Sequence, residues 1–376
     1  MGPQGTTSNG PPAIAYRKAR RPLCYRRVVR AVYAARFGGD DPLSNLAIGD
    51  RPDPRPRPGW ALVRVTAASL NHHDLWTLRG VSSQPLNAPQ ILGCDAAGRV
   101  EELGEGTGGA PALGTRVVVH TVIGCGACPA CLTPEPGVCH RLSLLGEPPH
   151  GGALADVVAV PAANLVALPD GVGDEAAACL PTAYLTAYRM LFTRAGLGPG
   201  ASVLVQGAGG GVATAAILLC AQAGIEVHAT SRDAAKRRAA EELGAASTFD
   251  PGDLVAAREL LDRTGGGVDA VLETVGEATW GLSLRSVRPG GIVVVAGATS
   301  GPNPRAQLNR IFWRQLTVAG TSMGTLAELE RLVALCASGA LRPLIDRVVP
   351  LDDARSAFAV LAAGEQRGKL VVRVAP

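Results

Sequence analysis

Phe, Trp and Tyr make up 4% of the 376 residues, and Met contributes three. A surface that binds single-stranded nucleic acid needs rings on which bases stack, so so few aromatics argue against a nucleic-acid-binding protein. No apolar run approaches the roughly 18 residues a membrane span requires, which predicts a soluble, cytoplasmic protein. Acidic residues are absent from Met1 to Arg30, where Arg17, Lys18, Arg20, Arg21, Arg26, Arg27 and Arg30 stand. This basic start lacks the apolar core of a signal peptide, and residues 1–27 read as an extension outside the folded body. A disulfide framework is also disfavoured: the nine cysteines are an odd number with no secretion signal.

What is present suits a globular enzyme. With 47% hydrophobic and 18% charged residues, the chain is long enough for two domains, each with a full core. Trp60 to Ser69 alternates like a strand, and Gly98 to Val119 reads as short strands broken by a glycine-rich loop. From Asp174 to Phe192 the apolar spacing turns helical, and from Ala201 strand and helix patterns alternate. Short apolar runs at Val203–Val205, Ala270–Leu272, Ile292–Ala296 and Leu316–Ala319 suit buried parallel strands, because helices cover both faces of such a sheet. A helical stretch from Thr325 to Ser338 and strand candidates at 345–349 and 370–374 complete the chain.

Four cysteines fall within fifteen positions. Cys125, Cys128, Cys131 and Cys139 give C-x2-C-x2-C-x7-C within the lobe 124–140. Four thiolates at this spacing suit a closed tetrahedral site with no open position for water, so one structural zinc is expected here. An iron–sulfur cluster could use four cysteines as well, but no second cluster run accompanies them.

After the strand at 202–205 comes Gly207-Ala208-Gly209-Gly210-Gly211-Val212-Ala213, then a helix. Glycines let the backbone approach a pyrophosphate at a helix N-terminus. The strict G-x-G-x-x-G is not met in the favoured register, which reads Ala208-x-Gly210-x-x-Ala213. The second strand ends without the acid that selects NAD; Ser231 and Arg232 stand there, with Lys236 a turn later and Asp233 a candidate helix N-cap. A hydroxyl and cations suit a 2′-phosphate, so NADPH is the expected cofactor.

The cysteine lobe, the GAGGGVA loop, VDAVLETVG (Val268 to Gly276), RPGG (Arg288 to Gly291) and GKLVV (Gly368 to Val372) together resemble medium-chain dehydrogenases/reductases. The likeness is to the quinone-oxidoreductase-like zinc-binding dehydrogenases, from about Val28 to the C-terminus. It implies an α/β protein: a GroES-like β-barrel catalytic domain at 28–178, a doubly wound Rossmann domain at 179–322, and a return to the catalytic domain at 323–376. It implies cofactor contacts from Thr182, Ala208, Gly209, Gly210, Gly211, Val212, Ser231, Arg232, Lys236, Thr274, Val275, Ala296, Gly297 and Lys369, and a homodimer or homotetramer. The three positions that hold catalytic zinc in alcohol dehydrogenases of this family match Asn71, Cys94 and Ala178, with Cys179 one step away. The resemblance therefore implies a site without catalytic zinc; a rearranged site from Cys94, His72 or His73, Asp95 and Cys179 is the alternative.

In that setting Asn71 is the candidate hydrogen-bond donor to substrate oxygen, His73 the proton donor, Asp74 the residue orienting the segment, and Tyr184 a pocket residue. The expected activity is NADPH-dependent reduction of a quinone or an α,β-unsaturated carbonyl, including natural-product intermediates. A carbonyl reductase or alcohol dehydrogenase and a non-catalytic NADPH-binding protein are the alternatives.

Overall fold

The computed structural model describes residues 28–374, apart from positions 83 and 134. The expected basic extension, with Cys24, lies outside the described residues.

The long strand Trp60–Ser69 organises the catalytic domain, running antiparallel to Asp95–Leu103, to Val157–Pro161 and to Lys369–Arg373. Arg116–Val119 extends the sheet beyond Asp95–Leu103, and Ile345–Pro350 extends it beyond Lys369–Arg373. Residues from the C-terminal segment thus complete a sheet begun nearly 300 positions earlier. Leu62, Val63, Val65, Val117, Leu370 and Val372 are among its buried apolar residues.

Six strands form the second sheet: β1 (Ser202–Gln206), β2 (Glu226–Thr230), β3 (Ser247–Phe249), β4 (Val268–Glu273), β5 (Val287–Val295) and β6 (Thr317–Gly320). All pair in parallel in the order β3-β2-β1-β4-β5-β6. Most of their Val, Leu and Ala side chains are buried on both faces except at the β6 edge, which explains the continuous apolar runs. This is the Rossmann topology, with strand order reversing between β1 and β4. A crevice outside the carboxyl ends of those strands is where such sheets bind ligands. The helix Gly211–Ala223 follows β1 directly and ends at Gly224, whose φ of +66° a side chain would strain.

Between the sheets, Asp174–Arg194 is helical as expected, but with wide π-helical turns at Leu180–Tyr184 and Arg189–Arg194. Such turns are uncommon and cluster at functional sites. Arg189, mostly buried, pairs with Glu328 (3.0 Å) and with Glu135 of the cysteine lobe, tying the lobe to both domains.

Candidate active site and metal centre

The segment after Trp60–Ser69 turns sharply into the short helix His72–Leu78. Asp74 fixes that turn. Its Oδ2 accepts from the Asn71 N–H and its Oδ1 from the Gly93 N–H, both at 2.9 Å, so two distant stretches share one carboxylate. Gly93 has φ +96°, and a Cβ there would lie 2.8 Å from Leu154. Burial pushes the Asp74 carboxyl up, against the lowering effects of His73 and of its backbone donors.

This arrangement delivers a hydrogen-bonded cluster centred on Asp95, whose exposure is 0%. Its Oδ2 accepts from Ser69 Oγ (2.8 Å) and Asn71 Nδ2 (2.8 Å), and its Oδ1 from Thr182 Oγ1 (2.6 Å). Lys369, 2% exposed, donates to Asn71 Oδ1 (2.6 Å) and the Leu70 carbonyl (2.8 Å), and its Nζ lies 3.4 Å from Asp95 Oδ2. Cys94 Sγ lies 3.4 Å from Asn71 Nδ2 and from Thr182 Oγ1. Burial, then the charges of Asp95 and Asp74, push its thiol well above the ordinary range, so Cys94 stays a neutral thiol. Cys179 donates to the Glu175 carbonyl at 3.2 Å, and burial raises it to about 12.

The positions matching family zinc ligands thus carry an amide, a neutral thiol and an alanine, and the nearby carboxylate is neutralised by an ammonium. Among the described residues, the metal-ligating side chains that converge are Cys125, Cys128, Cys131 and Cys139, whose Sγ atoms lie within 4.8 Å of one another. Three of their separations are 3.6, 3.7 and 3.9 Å. A regular tetrahedron with Zn–S bonds of ~2.3 Å has edges of ~3.8 Å, so the quartet fits a closed tetrahedral metal. Backbone N–H donors and Arg141 lower Cys125 to about 5, which favours the thiolate that a metal requires.

His73 pairs with Glu147, with Nε2 and Oε1 2.9 Å apart. Burial alone would lower this imidazole, but the Glu147 hydrogen bond and the charges of Asp74, Glu147 and Asp95 raise it above its ordinary value. His72 moves the other way, lowered by burial and by Lys369, Arg79 and Lys236. Neither Glu147 nor the hub role of Asp95 was visible in the sequence. Glu147 stands in a Pro-rich stretch with no motif, whereas the pairing of Trp60–Ser69 with Asp95–Leu103 could have flagged Asp95.

The glycine loop forms the facing wall. Gly207 turns with φ +84°, its N–H bonded to the Thr230 carbonyl, and Val275 packs against it. The loop-end residues Thr274, Val275, Ala296 and Gly297 meet there, because Ala296 N–H donates to the Glu273 carbonyl and Gly297 abuts Thr274. Glu273, fully buried, holds the Val275 and Gly276 N–H groups, Thr279 and Ser283. Ala208, Gly209, Gly210, Gly211 and Val212 lead into the N-terminus of the helix Gly211–Ala223, a backbone geometry that suits a nucleotide pyrophosphate. Asp233 caps the next helix, accepting from the Ala235 and Lys236 N–H groups.

Four of the expected side chains have polar partners within the protein. Tyr184 is fully buried and its hydroxyl accepts from the Leu344 N–H at 2.7 Å, which makes it a core residue instead of a pocket group. The Lys236 ammonium donates to the Gly364 carbonyl while its stem packs under Gly209. Arg232 is exposed beside Ser231, and Arg237 braces the Ser231 carbonyl at 2.6 Å. Thr182 and Lys369, expected on the cofactor, spend their polar atoms on the Asp95 cluster. The Lys369 stem still abuts Gly211, and the Gly368 N–H donates to the Gly209 carbonyl, so one short strand end joins the two halves of the site.

Residues 57–170 match an alcohol dehydrogenase GroES-like domain and residues 211–338 a zinc-binding dehydrogenase domain. A probable zinc-binding alcohol dehydrogenase of Mycobacterium tuberculosis is 32% identical over 86% of this chain and 84% of its own length. An acryloyl-coenzyme A reductase of Sulfurisphaera tokodaii is 29% identical over 88% and 97%. Among solved structures, an NAD-dependent alcohol dehydrogenase superposes with TM-score 0.86 at 35% identity, covering 92% of this chain and 100% of the other. A 2-octenoyl-CoA carboxylase reductase bound to NADP and 2-octenoyl-CoA superposes with TM-score 0.87 at 25% identity, over 93% and 88%.

Proposed function

This chain belongs to the medium-chain dehydrogenase/reductase superfamily, and from that premise we propose that it is an NADPH-dependent reductase of conjugated carbonyls, working without catalytic zinc. The observation that carries the proposal is the Asp95–Lys369–Asn71 cluster. A buried ammonium already balances the carboxylate, and the three family ligand positions offer no set of anionic donors for a divalent ion. Enoyl-CoA thioesters are the acceptor class favoured by the relatives that reduce or bind them, with quinones the second class.

Ala208–Val212 would hold NADPH, which when bound would supply the hydride. Everything else falls to side chains. Lys369 polarises the Asn71 amide at Oδ1; one Nδ2 proton is held by Asp95, and the other has only the 3.4 Å contacts to Cys94 and Ser69. That weakly held, polarised proton is the donor to the developing enolate oxygen, and such donors are worth about 3 kcal/mol each in a dry site. His73 returns a proton to carbon in the second step. An isolated ketone concentrates charge on one oxygen and needs stronger stabilisation, such as a Lewis acid.

Ser231 and Arg232 favour the 2′-phosphate, and Cys125, Cys128, Cys131 and Cys139 hold one structural zinc. A second copy is the partner. The β6 edge and helix Leu308–Trp313 expose Val318, Leu308, Phe312 and Trp313, and a two-fold axis would pair β6 antiparallel with itself while covering them. The deciding assay is NADPH oxidation against enoyl-CoA, quinone, ketone and aldehyde panels, with metal content measured on the same sample.

A further inference from the structure

We propose that Glu147 is a positioning residue for proton delivery: its carboxylate holds His73 by Nε2, orients the ring and keeps it charged, so that exchange with substrate passes through Nδ1. The inference rests on the conjugated-carbonyl reading above.

Geometry carries it. The Nε2 to Oε1 distance is 2.9 Å, and the two side chains are 14% and 4% exposed, so the pair is largely screened from bulk water. A carboxylate in so dry a place is stabilised by the imidazole hydrogen-bonded to it, and it favours that ring's protonated form. It sits outside the Asp95 cluster, which is already balanced by Lys369, so neutralising that cluster does not require it. Glu147 is also anchored by local structure. Its N–H donates to the Leu144 carbonyl, and its own carbonyl accepts from the His150 N–H at 2.8 Å. The histidine is anchored equally well, because its carbonyl accepts from Thr77 Oγ1 and its helix start is pinned by Asp74. Both partners are therefore preset, and little rotamer freedom is lost when they pair.

The charged groups facing His73 are Glu147 from this loop, Asp74 from its own helix and Asp95 from the neighbouring strand, the last offset by Lys369. Of these, Glu147 is the one that touches the ring through a hydrogen bond. In the proposed step the C–H bond at the α-carbon forms from the Nδ1 proton, the enolate electron pair supplies that bond, and the imidazolium becomes neutral. Solvent then reprotonates the ring.

The test uses the full-length protein labelled with 13C-histidine, which has six histidines to assign. The His73 titration is followed by NMR in wild type, Glu147→Gln and His73→Asn, alongside the pH dependence of kcat for an enoyl-CoA acceptor. Glutamine keeps the size and a hydrogen bond but removes the charge. The pair predicts that Glu147→Gln lowers the His73 pKa by about one unit or more, and that the alkaline fall in kcat moves down by the same amount with KM for NADPH unchanged. His73→Asn should abolish that limb. An unmoved NMR titration, or a titration that moves while the kcat limb stays put, overturns the proposal. Failure of the conjugated-carbonyl reading would show differently, as wild-type protein inactive on enoyl acceptors at every pH while the NMR shift persists.

Discussion

Replacing Lys369 with Met removes the one cation among the described residues in direct contact with the Asp95 cluster, while keeping the aliphatic stem that packs on Gly211. Asp95, at 0% exposure, would keep its Ser69, Asn71 and Thr182 donors but lose its counter-charge. Removing one partner of a buried pair costs about 3–5 kcal/mol. The three remaining donors put this case near the lower end, at about 3 kcal/mol. Asp95→Asn should cost a similar ~3 kcal/mol, because it strands an ammonium with only the Leu70 carbonyl and Asn71 Oδ1 as acceptors. The double substitution leaves two neutral groups and should cost about 3 kcal/mol instead of the ~6 kcal/mol sum, a coupling of about 3 kcal/mol. Urea unfolding of the nucleotide-free protein at pH 7 measures all four corners of the cycle. Strict additivity would refute the reasoning, since it would mean that Lys369 and Asp95 do not balance each other.

Other outcomes follow from separate parts of the molecule. Cys128→Ser should lose the bound zinc and destabilise the lobe that Glu135 ties to Arg189, with kcat in the surviving folded fraction little changed; one zinc per chain by elemental analysis is the reference value. Ser231→Asp with Arg232→Ala should reverse the cofactor preference by placing a carboxylate against the 2′-phosphate and removing its cation, read as the ratio of kcat/KM for NADPH and NADH. Trp313→Glu should lower the solution mass from dimer to monomer in light scattering while leaving the monomer folded, because Trp313 is 84% exposed and its loss empties no core. On the alkaline side, the His73–Glu147 pair contributes stability that is complete below pH ~6.5 and declines as pH rises through the raised His73 value. Glu147→Gln should therefore cost more stability at pH 6 than at pH 9.

The fold was largely legible because its signals are local. Parallel strands buried on both faces write continuous apolar runs, and Gly224 marks a helix end through its positive φ. The strand Val28–Ala34 and its partner Leu46–Pro52 were not anticipated, since Arg30, Gly49 and Asp50 interrupt any clean alternation and their pairing is what buries the apolar side. The helix Ala354–Ala363 was also passed over, being rich in Ala with few strongly apolar positions.

Within the site, the cysteine quartet was readable from spacing because its ligands lie close in sequence. The Asp95 cluster was not, because Ser69, Asn71, Asp95, Thr182 and Lys369 are drawn from stretches up to 300 residues apart and meet only through sheet pairing. Long side chains hid these partners. Lys236 and Lys369 occupy cofactor-like positions in the sequence, yet each ammonium reaches several ångströms past the glycine its stem packs on, to Gly364 and to Asn71 respectively. Tyr184 misled in the opposite direction, since a hydroxyl that satisfies Leu344 inside a core reads in sequence like one that faces a pocket.

The central claim, hydride transfer to a conjugated acceptor without catalytic zinc, is tested most directly by one measurement. NADPH oxidation is compared for a matched enoyl-CoA and saturated ketone, using protein whose zinc content is determined on the same aliquot. The account predicts turnover of the conjugated acceptor at one zinc per chain, with the ketone slower by at least about 100-fold, equivalent to roughly 2.7 kcal/mol of lost stabilisation. Faster turnover of the ketone at one zinc per chain, or activity that requires a second zinc, would contradict it.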